Sequence, residues 1–231
     1  MKLVKSIKYL DKILNRYRSD GFKIHLTPTM GALHAGHLKL VKESKKLKSI
    51  VVVSIFVNPT QFGPKEDYKD YPRTLKNDLK VLKKYGADIV FTPIQKQILS
   101  HKTKHNCPQF AIEKRLCGKS RPNYFPGVKN IVLKLFDIVQ PDAAFFGEKD
   151  YQQYLVIKKM TESLKLNTRI ICVKTVRDRN GLPLSSRNNY LSGQEFKIAI
   201  KINKLLKKLP PLIRTKLKIN KIPVSYTHLT L

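Results

Sequence analysis

The stretch Pro28-Thr-Met-Gly-Ala-Leu-His-Ala-Gly-His37 decides how this chain is read. Just before it, Lys23-Ile-His-Leu-Thr-Pro-Thr29 alternates apolar and polar residues, the period-two pattern of a strand. Just after it, Leu38, Leu40, Val41 and Leu47 recur at roughly helical spacing among lysines. The segment is therefore a turn between a strand and a helix. Small residues at positions 31, 32, 35 and 36 let its backbone come close to a ligand. A helix N-terminus presents unpaired N–H groups and the positive end of the helix dipole, which together favour an anion. His34 and His37 add side-chain donors suited to a polyphosphate whose charge grows during reaction. Two blander readings stand beside this one: a turn whose imidazoles are satisfied locally, and half of a metal site.

Working outward, the same alternation of elements repeats. Residues 4–18 read as an amphipathic helix with Ile7, Leu10, Ile13 and Leu14 on one face. Ser49-Ile-Val-Val-Val-Ser-Ile-Phe-Val57 is a continuous apolar run, as in a strand covered on both faces of a parallel sheet. A polar loop, Asn58-Pro-Thr-Gln-Phe-Gly-Pro64, follows it. Thr74 is placed to cap a helix that reaches Tyr85 and stops at Gly86. Asp88-Ile-Val-Phe-Thr-Pro93 reads as a short strand, and residues 95–126 are poorly periodic and read as irregular. Residues 127–139 read as helix, 142–146 as strand, 150–166 as helix and 168–176 as strand.

Strands alternating with helices imply βαβ units with right-handed crossovers. The expected fold is α/β: a Rossmann-like, mostly parallel sheet flanked by helices over residues 1–176. A small, shortened C-terminal α+β lid domain is expected over residues 177–231. In such sheets ligands gather beyond the C-terminal ends of the strands. The His turn, the Asn58 loop, residues 147–150 and the segment after Val176 all fall there. Ser192-Gly-Gln-Glu195 is a capping-box signature opening a helix to about Leu209, with Pro210-Pro211 expected to end it. The tail from about residue 223 has no link to what precedes it and reads as foreign to the fold.

Composition narrows the function classes. The chain has 231 residues with 46 basic and 16 acidic side chains, a formal net charge of +30. That excess invites a nucleic-acid reading. However, 36 of the basic residues are lysine and only 10 are arginine, spread along nearly every helix. Base readout and stacking lean on arginine and aromatic side chains, and no such patch stands out. Abundant Lys, Ile and Asn are the imprint of an AT-rich genome, so no specific nucleic-acid partner is expected, although a polyanion-binding surface stays open as an alternative. No stretch approaches the roughly 20 apolar residues that span a bilayer, and lysines interrupt the N-terminal apolar residues where a signal peptide would have none. Cys107, Cys117 and Cys172 are too scattered for a disulfide framework or a zinc cluster. A cytoplasmic protein without a membrane partner is the expectation.

Further motifs carry polar chemistry. Gly147-Glu-Lys-Asp150 follows a strand and opens a helix: Gly147 permits close approach, Lys149 is a point charge for phosphate, and Asp150 caps the helix or meets a ribose hydroxyl. Gln152 and Gln153 follow on the first helical turn, where an uncharged amide suits a hydroxyl or carboxylate. Leu184-Ser-Ser-Arg187 offers two hydroxyls and a guanidinium, a second clamp for polyphosphate. Asn58 and Gln61 bracket Pro59 and could orient small polar substrates. Tyr71, Arg73 and Arg121 sit in segments whose cations are either ligands or merely solvated. Asp78 is a candidate magnesium contact, or else a surface carboxylate on a lysine-rich helix.

Taken together, Pro28–His37, Phe56-Val-Asn-Pro-Thr-Gln-Phe-Gly63, Asp70-Tyr-Pro-Arg-Thr-Leu75, Phe146-Gly-Glu-Lys-Asp-Tyr-Gln-Gln153 and Ser185-Ser-Arg-Asn188, in that order and spacing, resemble one family. It is the pantoate–β-alanine ligase (pantothenate synthetase) family of the HIGH-motif nucleotidyltransferase superfamily, and the likeness runs over residues 1–203. The resemblance implies a ligase that condenses pantoate with β-alanine at the expense of ATP, through a pantoyl adenylate, releasing AMP and pyrophosphate with Mg2+ present. It implies that Met30, Gly31, Ala32, Leu33, His34, Ala35, Gly36 and His37 hold ATP, together with Gly147, Glu148, Lys149, Asp150, Val176, Leu184, Ser185, Ser186 and Arg187. His37, His34, Lys149 and Arg187 would be the catalytic groups, His37 as an acid by analogy; physically both histidines are better described as stabilisers of charge. Gln61 and Gln153 would hold pantoate, Gln61 also β-alanine, with Asn58, Tyr71 and Arg121 contributing. A homodimer is implied as well.

Two departures from the family pattern matter. Arg121-Pro-Asn-Tyr-Phe125 carries tyrosine where the family usually has histidine; Tyr124 can donate a hydrogen bond but cannot carry a proton at neutral pH as imidazole can. The C-terminal part is also shorter than the family's, so closure over the nucleotide and turnover are expected to suffer more than binding. A nucleotidyltransferase with another acceptor, and an inactive or nucleic-acid-binding relative, are the competing readings.

Overall fold

Every strand of the sheet runs parallel to its neighbours, so each must be followed by a crossover, and the helices that make those crossovers cover both faces. The computed structural model describes residues 1–214 apart from Lys48. In chain order the elements are β1 (Lys2–Val4), α1 (Ile7–Ser19), β2 (Ile24–Thr29), α2 (Ala35–Lys45), β3 (Ile50–Ile55), α3 (Leu75–Lys84) and β4 (Ile89–Phe91). Then follow α4 (Gln95–Ser100), α5 (Cys117–Ser120), α6 (Tyr124–Val139), β5 (Ala143–Gly147), α7 (Tyr151–Ser163), β6 (Arg169–Val173) and α8 (Gly193–Arg214). The strand order is β1-β4-β3-β2-β5-β6. From β2 the chain works outward through β3 to β4, then returns to place β5 on the other side of β2. The order reverses between β2 and β5, and the crevice at such a switch point is where an open parallel sheet binds its ligand.

The apolar run at β3 is buried on both faces because its side chains alternate between two cores. Ile50 and Val52 join Leu10 and Leu14 of α1 and Val132 of α6 on one side. Val51 and Val53 meet Leu38 and Val41 of α2 and Leu82 of α3 on the other. A third cluster under α2 joins Leu40 to Ala143, Phe145 and Val173. Fully burying a side chain of this size contributes about 1.5–3 kcal/mol, so the two faces of β3 alone hold four such contributions. Among the described residues no helix is long and apolar enough to cross a membrane.

The structure departs from expectation at a few elements. Lys2–Val4 is an edge strand paired with β4, where only a helix starting at residue 4 was expected; three residues among lysines are too few to show a period. The segment 95–126 is irregular over much of its length but holds α4, α5 and a 3-10 turn at Ala111–Lys114. Thr74 stands at the N-cap of α3 without a capping hydrogen bond, because its hydroxyl donates to Asp78 instead. The capping box at Ser192 and Glu195 is present: the Ser192 N–H donates to Glu195 Oε2 at 2.8 Å and the Glu195 N–H to Ser192 Oγ at 3.3 Å. Helix α8 runs on through Pro210-Pro211 to Arg214 rather than ending there; proline's fixed φ is helical even though each ring forgoes an amide bond. The reading of the tail from about residue 223 lies outside the described residues.

One close crossing fixes the floor of the cleft. Helix α6 passes against the 3-10 turn Pro59–Gln61 at Gly127, where a Cβ would stand 2.2 Å from the Thr60 carbonyl oxygen. The Gly127 carbonyl accepts from the Asn58 amide at 3.1 Å. Replacing Gly127 by alanine should therefore push the helix off the turn and destabilise the protein by about 1–3 kcal/mol, the usual cost of overpacking. Urea unfolding checks this: a lowered midpoint is expected, and an unchanged one would refute the tight crossing.

Candidate active site

The turn after β2 has positive φ at two consecutive residues, Gly31 at 83° and Ala32 at 48°. Asp78 on α3 holds it there, accepting the Ala32 N–H at 3.1 Å and the Leu33 N–H at 2.9 Å, with the Thr74 hydroxyl at 3.2 Å. Asp78 is only 1% exposed. Its carboxylate is occupied by the turn, which corrects the expectation of a magnesium contact. The same bonds take the Ala32 and Leu33 amides, so these two are not phosphate donors.

Helix α2 then opens with the two imidazoles closing on the backbone. The Gly36 N–H donates to His34 Nδ1 at 3.1 Å, and the His34 N–H donates to His37 Nδ1 at 3.3 Å. Gly36 is required because a Cβ would sit 2.8 Å from the His34 ring. The ring centroids are 4.1 Å apart. An Nδ1 that accepts a backbone N–H carries no proton, so the proton of each neutral ring lies on Nε2. Both rings stay neutral over the physiological range. Burial, then the Lys149 charge, lower the His34 pKa to about 4; burial, then His34 and Lys149, lower that of His37 to about 3. The pair thus presents two uncharged Nε2–H donors.

These donors line one cleft of about 540 Å3 at the switch point. Of the turn, Met30, His34, Gly36 and His37 face it; Gly31 lines a smaller cavity beside Asp78, and Ala35 and Leu33 line neither. From the end of β5 comes Gly147, from the 3-10 turn after it Lys149 and Asp150, from α7 Gln153, and from beyond β6 Val176, Leu184, Ser185, Ser186 and Arg187. Lys149 Nζ lies 3.4 Å from Asp150 Oδ1. Glu148 does not line the cleft, contrary to expectation. Its carboxylate accepts the Thr175 N–H at 3.1 Å and ties the segment after β6 to the end of β5. Ser186 Oγ donates to the Ala32 carbonyl at 3.1 Å, which seats residues 184–190 on the His turn.

Asn58, Gln61, Tyr71 and Arg121 also reach the cleft. Asn58, 1% exposed, has its whole amide in use: Nδ2 donates to Gly127 O and to Gln61 Oε1, both at 3.1 Å, and Oδ1 accepts from Thr60 N and Oγ1. It therefore orients Gln61 and has nothing left for a substrate. Gln152, whose amide bonds Ile112 O, Arg115 O and the Cys117 N–H, is likewise structural.

Two residues escaped the sequence reading. Glu66 and Asp67, adjacent in the loop after Gln61, each hold one of the cleft's arginines in a two-pronged pair. Arg187 donates to Asp67 through Nε at 2.9 Å and Nη2 at 2.8 Å, and Arg121 donates to Glu66 through Nε at 2.6 Å and through Nη2. Burial pushes both carboxyl groups up, but the guanidinium bonds outweigh it and hold them below their ordinary values. The expected guanidinium clamp is thus neutralised in this arrangement. Two acids side by side in a chain with 46 basic and 16 acidic residues were the available signal.

Because the folded histidine pKa values lie below the unfolded 6.5, the stability tied to these rings is complete above pH 6.5 and is lost as pH falls toward 4 and then 3. Nitrogen NMR of the ring atoms should show His34 and His37 unprotonated at Nδ1 and without a titration step between pH 5 and 8. Assignment by His34→Asn and His37→Asn identifies them, and a midpoint near 6.5 in either would overturn the neutral-donor assignment.

The comparisons with known proteins point one way. The family model described as pantoate-beta-alanine ligase matches residues 2–225. Pantothenate synthetase of Buchnera aphidicola subsp. Acyrthosiphon pisum (strain 5A) is 47% identical over 210 residues, 90% of this chain and 74% of the relative. That of Acinetobacter baylyi is 50% identical over 208 residues, covering 90% and 74%. Among solved structures, pantoate-beta-alanine ligase from Francisella tularensis, complexed with beta-gamma ATP and beta-alanine, superposes with a TM-score of 0.82 at 42% identity, over 90% of this chain and 79% of that one. Pantothenate synthetase from Thermus thermophilus gives 0.82 at 40% identity, over 88% and 72%.

Proposed function

The chain belongs to the pantoate–β-alanine ligase family, and from that premise we propose how its cleft runs an ATP-dependent condensation of pantoate with β-alanine. In the first step a pantoate carboxylate oxygen attacks the α-phosphorus of ATP. The bond to the bridging oxygen breaks and pyrophosphate leaves, giving pantoyl adenylate. In the second, the β-alanine amine attacks the acyl carbon. AMP departs with the bonding pair, the amine loses a proton, and pantothenate remains.

The observation that carries this reading is the cleft at the switch point, where the α2 N-terminus, two Nε2–H donors and Lys149 converge. Phosphoryl transfer needs little covalent help from the protein; it depends on position and on fixed positive potential around the phosphates. The neutral imidazoles are such donors, and Lys149 supplies the full charge. Ser185 and Ser186 serve the nucleotide from beside the His turn, on the segment from residue 177 onward that we assign as the lid. Gln61 and Gln153 hold pantoate, whose carboxylate then faces the phosphates with its negative charge intact.

Magnesium fits this site as the partner of ATP. Among the described residues no three His, Cys, Asp or Glu side chains are grouped to hold an ion, and Asp78 is occupied. With nucleotides Mg2+ ordinarily keeps several waters and is held by the phosphates with one or two carboxylates, a role that Asp150 would fill in this cleft. The substrate is then MgATP, with Asp150 the cleft carboxylate nearest Lys149.

Exchange of labelled pyrophosphate into ATP tests the first step alone. It should require pantoate and fall by about 100-fold or more in His37→Ala, the usual loss when one donor to a developing oxyanion is removed. Exchange that ignores pantoate would transfer the proposal to another acceptor. Near-wild-type exchange in His37→Ala would remove the histidine pair from it.

A further inference from the structure

Tyr124 occupies the first turn of α6 and Gln153 the first turn of α7, and both line the cleft. The Tyr124 hydroxyl donates to Gln153 Oε1 at 2.9 Å. Its ring is held from one side by the Arg121 guanidinium, 4.0 Å from the ring centroid, and from another by the Phe125 ring at 5.0 Å. Arg121 is itself fixed by Glu66 and by the Gln61 carbonyl at 3.3 Å. A chain of contacts thus runs from the acidic loop through Arg121 to Tyr124 and ends on one amide.

The other substrate glutamine is oriented in the same sense by different means. Thr60 N–H can only donate and the Gly127 carbonyl can only accept, so these two backbone groups fix which end of the Asn58 amide is oxygen. Asn58 Nδ2 must then face Gln61 Oε1, which leaves Gln61 Nε2 toward the cleft with only the Met30 sulfur at 3.1 Å. A thioether is a weak acceptor. At Gln153 the phenol takes the oxygen, and the amide nitrogen has no protein partner among the described residues. Two NH2 groups consequently converge on a cleft whose two arginines are each already matched to a carboxylate.

We propose that Tyr124 is a positioning residue for the reaction: its hydroxyl holds the Gln153 amide with the nitrogen toward the cleft, so that Gln61 and Gln153 form a paired, uncharged donor site for the carboxylate-bearing substrate. The inference rests on the ligase reading above. The chemistry favours such a site. A carboxylate locked to a guanidinium would lose nucleophilicity, whereas neutral amides orient it and leave its charge for the attack. Loss of water around the Tyr124 hydroxyl raises its ionisation further above the ordinary tyrosine range, with the Asp150 charge adding to it, so the hydroxyl keeps its donor proton throughout the neutral range. An imidazole at this position would change charge near neutrality; tyrosine removes that dependence.

The test is a double-mutant cycle read by pantoate-dependent pyrophosphate exchange in the full chain. Tyr124→Phe keeps the ring and its stacking and removes only the donor. It should raise the KM for pantoate about tenfold, the scale of one hydrogen bond, while the KM for ATP and the melting temperature stay close to the parent's. In a Gln153→Ala background the same substitution should shift the pantoate KM less than about twofold, because the amide it positions is gone. Additive effects of the two substitutions would overturn the proposal, as would an unchanged pantoate KM in Tyr124→Phe. So would parallel rises in both KM values with a lowered melting temperature, which would mark a structural role. Absence of pantoate-dependent exchange in the parent protein would instead refute the ligase reading itself.

Discussion

The Asp78 carboxylate, reaching from the first turn of α3 to the amides of Ala32 and Leu33, gives the site its shape. The turn it holds has an alanine at φ 48°, a conformation that costs an L-residue roughly 1–2 kcal/mol. Two hydrogen bonds to an ionised group, at about 1.5–3 kcal/mol each, more than offset that cost. The direction in which α2 leaves the sheet follows from the turn, and with it the direction of the helix N-terminus and of both imidazoles. The aim of the His34 and His37 Nε2–H groups into the cleft is therefore set by a residue far downstream that does not line it.

The electrostatic character of the cleft comes from subtraction. The chain carries 46 basic residues, yet both arginines that line this cleft are spoken for by Glu66 and Asp67, and both histidines are neutral. Lys149 is left as a cation whose neighbour Asp150 sits at 3.4 Å, a looser contact than either arginine pair. A cleft crowded with free cations would bind any polyanion and would hold the products as firmly as the substrates. Two lysines, Lys149 and Lys174, with several neutral donors discriminate by position instead, which suits the phosphoryl transfer proposed above.

Much of this was legible in the sequence wherever one residue pattern had one physical meaning. The run at β3 read as a strand buried on two faces, and the glycines and imidazoles after β2 read as a close approach to a ligand, although their local hydrogen bonds to the turn were an equal part of the pattern. The family motifs then located the walls. What stayed hidden has two causes. Short elements carry no period, so β1 and the pieces of 95–126 left no trace. Polar side chains also do not announce their partners: Asp78, Asn58 and Glu148 look like ligands by residue type, and each is consumed by backbone groups far away in sequence. Glu66 and Asp67 look like solvated loop charges, and each decides whether an arginine is free.

That second failure has a physical remedy. In a chain where bases outnumber acids nearly threefold, a surface lysine that lacks an acid simply stays in water, at little cost. An acid near a cleft is different, because partly desolvated carboxylates are unfavourable unless something charged or an N–H array meets them. Sixteen acids spread over 231 residues therefore carry more structural information per residue than the lysines do. Asp78 at the N-terminus of α3 and the Glu66-Asp67 pair, each within a few residues of a substrate motif, are among the places where that scarcity is broken. Each is tied to an element that shapes the cleft, Asp78 to the His turn and the acid pair to its two arginines. An acid retained beside a binding motif in a strongly basic protein is best read first as a fixed support for that motif, and only second as a ligand.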